Sequence, residues 1–209
     1  MRTSSLIVSS AKLLLYGQEI EDVIIVGIGY ESREDHLLKR ERDYCPMRVG
    51  DTSHFFKSFL EEDLVHRIVE TYKGDPKRLS LAGDSYSGLF CINVLFSKDR
   101  LFRSFIIGSP SLYWDDRFAF NWEEAYSKSS DQLEARVYLG GGLLEAASEP
   151  CHASMLSNLT RMEEVVRSRG YQGLDLITNY FPNETHLSVI PSLLTRGLRV
   201  LFPYKDPKL

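Results

Sequence analysis

Hydrophobic positions along the chain form short apolar runs that alternate with longer amphipathic segments. A run of four to eight apolar residues bounded by turn residues is typical of a strand buried in a parallel sheet. Such runs occupy residues 23–29, 79–82, 102–108, 135–140 and 174–181. Apolar residues at helical spacing, with Gly or Pro at several ends, predict helices. These helices span residues 4–16, 54–72, 89–96, 121–127, 155–169 and 190–202.

Strands that alternate with helices predict a mostly parallel sheet with helices on both faces. The stretch 31–47 is polar and rich in turn residues, so we expect a long loop there. With 209 residues, 43% of them hydrophobic, the chain can bury a sizeable core. We therefore expect a single α/β domain over residues 1–209.

Composition narrows the classes of partner. The formal net charge is −4 and no Lys/Arg cluster is present, which argues against nucleic acid or an anionic membrane as the main partner. No apolar run is long enough to span a bilayer. The three scattered cysteines include no Cys-x-x-Cys pair, so we expect reduced thiols in a cytoplasmic protein.

One strand-to-helix junction has the pattern of a nucleophile elbow. The sequence Gly83-Asp84-Ser85-Tyr86-Ser87-Gly88 separates an apolar strand from an apolar helix. A sharp turn there lifts a serine hydroxyl above the sheet, and the helix N-terminus offers free N–H groups to a developing oxyanion. Ser87 stands where glycine is usual, but a serine is small enough for the turn. An ordinary turn with a capping serine is the alternative.

Side chains of complementary chemistry follow three of the predicted strands. Ser85, then Glu145 or Glu149, then His186 occur in the chain order nucleophile, acid, histidine. In open α/β sheets the carboxyl ends of the strands form the site. A serine hydroxyl needs an imidazole to accept its proton, and a carboxylate orients that imidazole. Either glutamate fits the acid's place, and a Ser–His pair without an acid is the further alternative.

Cofactor and metal patterns are weak. His186 has no second His or Cys nearby, so we expect no metal site. The pair Gly27 and Gly29 lacks the third glycine and following helix of a dinucleotide site. The run 140–142 is not followed by Gly-Lys-Ser/Thr, so it does not predict a phosphate loop. We expect no cofactor.

Several segments together resemble the esterase family of α/β-hydrolases, which includes esterase D-like enzymes and hydrolases of ferric catecholate siderophore trilactones. The segments are 26–30, 42–46, 83–88, 102–104, 108–116 and 185–191. The resemblance implies a serine esterase that cleaves carboxylic esters through an acyl-enzyme. It implies Ser85 as nucleophile, His186 as base and an acid from the Glu145 loop. It also implies an oxyanion N–H from Tyr86 and substrate contacts from Tyr30, Arg42, Tyr113 and Trp114.

The resemblance begins at the helix before residues 23–29, whereas family members carry further strands ahead of that helix. It therefore implies an N-terminally shortened fold with an exposed sheet edge, which a homodimer partner could cover. In the family the second oxyanion donor comes from the turn after one of those strands, and loss of one such donor costs about 10²–10³ in turnover. The alternative function is therefore a catalytically weak protein that acts as a binding or interaction module.

Overall fold

In the part of the chain that the structure describes, four parallel strands form one sheet. The structure is a computed structural model that describes residues 3–30, 35–46, 52–147 and 153–205. The strands lie side by side in chain order, and each pairs in parallel with the next. Their bounds are β1 Ser80–Asp84, β2 Ser104–Gly108, β3 Gln132–Gly142 and β4 Gln172–Phe181. Each lies at a position where the apolar pattern predicts a strand.

Helices connect and flank these strands. The first four are α1 Thr3–Tyr16, α2 His36–Tyr44, α3 Ser53–Ser58 and α4 Val65–Tyr72, with a π-helical turn at Phe59–Leu64 that joins α3 to α4. The others are α5 Tyr86–Leu95, α6 Trp114–Arg117, α7 Ala119–Ser127, α8 Met155–Arg169 and α9 Val189–Leu201, with a 3₁₀ turn at Glu145–Ala147. The helices predicted at 4–16, 54–72 and 155–169 agree with this to within a residue or two.

The two faces of the sheet bury two separate hydrophobic clusters. Phe105 and Ile107 of β2 face one cluster, which includes residues of α5, α7 and α8. Ile106, between them, faces the other cluster with residues of α1 and α9. This period-two alternation is expected for a strand covered on both sides. The predicted parallel sheet with helices on both faces is confirmed.

The strand predicted at residues 23–29 is wrong for the part of the chain that the structure describes. The segment belongs to no described ladder, and Ile24, Val26 and Ile28 are 48%, 41% and 42% exposed. A segment becomes a strand only when its backbone hydrogen-bonds to a neighbouring strand, and an apolar composition does not provide that neighbour. The nearby pairing is a single antiparallel bridge between Ile20 and Pro203.

The loop predicted at 31–47 is wrong over residues 36–44, which form helix α2. The helix has no apolar stripe, but most of its residues are good helix formers. Its last residue, Tyr44, is buried and packs edge-on against Phe56 and at a tilt against Phe90. Residues 31–34 and 47–50 lie outside the described part of the chain.

Within the described chain, β1 is an edge strand, since it pairs with β2 alone. The expected homodimer through this edge stays a prediction. No described helix has both the length and the apolar character needed to cross a membrane.

Candidate active site

Ser85 lies at the sharp junction between β1 and α5. Its backbone has φ 61° and ψ −120°, a strained conformation for a residue with a side chain. Its N–H donates to Gly108 O at 3.0 Å, and its carbonyl accepts from Leu89 N at 2.9 Å. The junction is therefore tied to both β2 and α5. Tyr86 is the first residue of α5, where backbone N–H groups have no partner within the helix.

Small residues around Ser85 make this junction possible. A Cβ at Gly83 would lie 2.3 Å from Ser87 O, and one at Gly88 would lie 2.5 Å from Gly108 O. Ser87, the departure from the usual glycine, also has a local role. Its hydroxyl donates to Asp84 O at 2.8 Å and accepts from Asp84 N at 3.0 Å. The serine therefore closes the turn with two hydrogen bonds.

Glu145 and His186 form a buried pair. They are 2% and 6% exposed, and Glu145 Oε2 lies 3.5 Å from His186 Nδ1. Glu145 Oε1 accepts from Gly142 N at 2.6 Å and from the Ser109 hydroxyl. Burial acts to raise the pKa of the Glu145 carboxyl, but the adjacent His186 side chain and hydrogen bonds from Ser109 and Gly142 outweigh it and lower that pKa. The carboxylate is therefore held ionised beside the imidazole.

Glu149, the other candidate acid, lies outside the described residues. His186 follows β4 and Glu145 follows β3, so both come from the carboxyl ends of their strands. The charge of His186 also acts on Asp84, the residue before Ser85. The structure thus brings the loops of Glu145 and His186 to the end of the sheet where Ser85 lies.

Asp84 is an unusual carboxylate at this junction. Its Oδ1 is buried and accepts no hydrogen bond from the residues that the structure describes. Burial raises the pKa of Asp84 to about 7, although the charge of His186 acts in the opposite direction. The carboxyl therefore changes its charge near neutral pH.

Aromatic side chains and one arginine form a wall beside the elbow. Tyr86 and Trp114 pack edge to face with ring centroids 5.2 Å apart, and the Tyr113 hydroxyl acts electrostatically on that of Tyr86. The Arg40 guanidinium lies 5.4 Å from the centroid of the Tyr86 ring. Such a wall can contact an aromatic group and offer it a positive charge.

Tyr30 and Arg42 are held together by Asp43. The Tyr30 hydroxyl donates to Asp43 Oδ2 at 2.8 Å, and Arg42 Nε donates to Asp43 Oδ1 at 2.6 Å. The side chain of Arg42 is 59% exposed. The guanidinium of Arg40, which the sequence reasoning did not single out, is the one that lies over Tyr86.

Two further serines were also missed by the sequence reasoning. Ser109 donates to Glu145, and Ser111 Oγ lies 3.3 Å from Ser85 Oγ. The available signal was their position, directly after an apolar strand at the carboxyl end of the sheet. Among the residues that the structure describes, no group of three His, Cys, Asp or Glu side chains could hold a metal ion.

Comparisons with known proteins agree on one family. A family model described as "Putative esterase" matches residues 7–182. Ferri-bacillibactin esterase BesA of Bacillus subtilis (strain 168) is 32% identical over 205 residues, which cover 89% of this chain and 69% of that protein. The siderophore triacetylfusarinine C esterase of Aspergillus fumigatus is 24% identical over 86% of this chain and 70% of its own length.

Among solved structures, the BES protein from Bacillus cereus is similar with a TM-score of 0.78 and 25% identity, over 91% of this chain and 74% of that one. The α/β-hydrolase fold and the carboxylic ester hydrolase class, both predicted from the sequence, are confirmed. The chain belongs to the "Putative esterase" family.

Proposed function

We propose that the protein is a serine esterase in which Ser85 is the nucleophile, His186 the general base and Glu145 the acid. The observation that carries the proposal is the buried Glu145–His186 pair, 3.5 Å apart, at the end of the sheet where Ser85 has its strained backbone. A nucleophile on such a turn, with a base oriented by a carboxylate, is the arrangement used for acyl transfer.

The reaction then proceeds in two halves. Ser85 Oγ attacks the ester carbonyl carbon while His186 accepts the Ser85 proton, which gives a tetrahedral intermediate. The Tyr86 N–H, at the start of α5, donates to its oxyanion. The intermediate expels the alcohol, which takes the proton from His186, and leaves an acyl-enzyme. Water, deprotonated by His186, attacks the acyl carbon, the bond to Ser85 Oγ breaks, and His186 returns the proton to Ser85 Oγ as the acid leaves.

Glu145 supports both halves of this reaction. It stays ionised because the His186 side chain and two hydrogen bonds, from Ser109 and Gly142, lower its pKa despite burial. Its charge can therefore stabilise the imidazolium each time His186 takes up a proton.

For the substrate we propose a siderophore ester that carries anionic aromatic groups, such as a ferric catecholate. The relatives BesA and the Aspergillus enzyme are named for siderophore ester cleavage. The wall of Tyr86, Trp114 and Arg40 suits that chemistry, since it combines aromatic faces with a cation. Tyr30, Arg42 and Tyr113 remain proposed substrate contacts.

Steady-state hydrolysis of p-nitrophenyl acetate tests the assignment of the triad. We expect Ser85→Ala and His186→Asn to lower kcat by about 10⁴ or more, and Glu145→Gln by at least about 10². Glu149→Gln is the matched control and should stay within about twofold of the wild type. Full activity in Glu145→Gln together with a loss in Glu149→Gln would transfer the role of the acid to Glu149.

A further inference from the structure

The loop that follows β2 places two serine hydroxyls on two separate members of the proposed triad. Ser109 donates to Glu145 Oε1, and Ser111 Oγ lies 3.3 Å from Ser85 Oγ. Ser109 and Ser111 are 1% and 0% exposed, so neither hydroxyl can turn to bulk water. One short segment thus contacts both the nucleophile and the acid.

Backbone hydrogen bonds fix this loop against the elbow. Ser111 N–H donates to Ser85 O at 3.1 Å, and Ser85 N–H donates to Gly108 O at 3.0 Å. Ser109 N–H donates to Gly140 O at 2.8 Å, which ties the loop to β3 as well. Ser109 itself has φ 37°, a left-handed conformation that a serine adopts at a cost. The position of the Ser111 hydroxyl is therefore set by the fold and does not depend on a mobile side chain alone.

We propose that Ser111 is a positioning residue for the nucleophile. This inference rests on the proposed serine esterase activity. In the resting enzyme either hydroxyl can donate to the other. As His186 takes the Ser85 proton, partial negative charge develops on Ser85 Oγ, which can then only accept. Ser111 then donates to it, keeps its own proton throughout, and holds Ser85 Oγ in the orientation for attack.

The hydrogen bond from Ser111 to Ser85 Oγ affects the rate of attack because it is strongest when negative charge develops on Ser85 Oγ. A hydrogen bond to an ionised oxygen is stronger than one between neutral hydroxyls. The Ser111 donor therefore favours the step in which Ser85 attacks more than it favours substrate binding. Its loss should lower kcat and leave KM almost unchanged.

The test compares Ser111→Ala and Ser111→Cys with the wild type. We expect Ser111→Ala to lower kcat for p-nitrophenyl acetate, and the rate constant for labelling by a fluorophosphonate, by about fivefold to tenfold. KM should stay within about twofold. Ser111→Cys fills the site with a slightly larger Sγ atom but has only a weak S–H donor, so it should be slow like the alanine variant. Circular dichroism spectra of both variants check that they are folded.

Ser97→Ala is the matched control, because the Ser97 hydroxyl donates to Val94 O at 2.8 Å at the far end of α5. It should keep the wild-type rates. Wild-type labelling rates in Ser111→Ala would overturn the inference, and so would wild-type rates in Ser111→Cys alone, since they would mean that side-chain volume is what matters. If the wild type were not labelled at Ser85 at all, the proposed function would fail together with the inference.

Discussion

Asp84 shows how one residue at the elbow links stability to pH. The Oδ1 atom of Asp84 is buried, and the pKa of this carboxyl is about 7 in the folded protein. In the unfolded chain an aspartate has a pKa near 4. Between about pH 4 and pH 7 the carboxyl is therefore mostly protonated in the folded protein and mostly ionised in the unfolded chain. The folded state binds more protons between these two values. This carboxyl therefore makes stability fall as the pH rises from about 4 to about 7, and its contribution is constant above that range.

Asp84→Asn removes this titration and keeps the shape of the side chain. We expect the variant to be more stable relative to the wild type at pH 8 than at pH 4.5. The free energy of unfolding of the variant minus that of the wild type should therefore be larger at pH 8. Urea denaturation at the two pH values measures the difference. A difference that is the same at both pH values would contradict the raised pKa of Asp84.

For individual residues, the sequence predicts the proposed catalytic side chains better than the residues that contact them. Ser85 and His186 could be proposed from the sequence, with Glu145 or Glu149 as the acid, because few strand ends carry such side chains in that chain order. Ser109, Ser111 and Arg40 were missed because serine and arginine are common, and their importance depends on a neighbour that is distant in sequence. Ser111, for example, contacts a residue 26 positions away.

Among the elements, those with a regular apolar pattern could mostly be predicted, and helix α2, which lacks one, could not. The four strands of the sheet and helices α8 and α9 follow apolar patterns that contribute to the two buried clusters, whereas α1 buries Ala11 and leaves Leu13 72% exposed. Residues 23–29 have an equally apolar pattern, but no described strand pairs with them. Helix α2 has little apolar pattern, and its packing depends on Tyr44 at its end.

The packing of α5 on β2 leads to a prediction at this scale. In Gly88→Ala the new Cβ would lie 2.5 Å from Gly108 O and 3.1 Å from Pro110 Cα, so the helix must move away from β2. We expect a loss of about 1–3 kcal/mol in the free energy of unfolding, as for other overpacked sites. Urea denaturation measures it.

Gly29→Ala is the matched control for this substitution, because a Cβ at Gly29 meets no atom of the described residues within 4 Å. It should change stability by less than about 0.5 kcal/mol. Equal stability of Gly88→Ala and Gly29→Ala would contradict the close contact between α5 and β2.

For the whole molecule, the parallel sheet explains why a site can be assembled from distant parts of the chain. Ser85, Glu145 and His186 follow β1, β3 and β4, and the loop after β2 supplies Ser109 and Ser111. Because all four described strands run in the same direction, their carboxyl ends lie at the same end of the sheet. The whole-molecule prediction that stays open is the homodimer through the edge of β1.

The central claim is that Ser85 is a nucleophile activated by this assembly. The most direct measurement is the intact mass of the purified protein after reaction with a fluorophosphonate, for the wild type and for Ser85→Ala. We expect one added phosphonyl group in the wild type, located on Ser85 by peptide mapping, and none in Ser85→Ala. A folded wild type that takes up no label would contradict the acyl-enzyme mechanism and favour a role as a binding module.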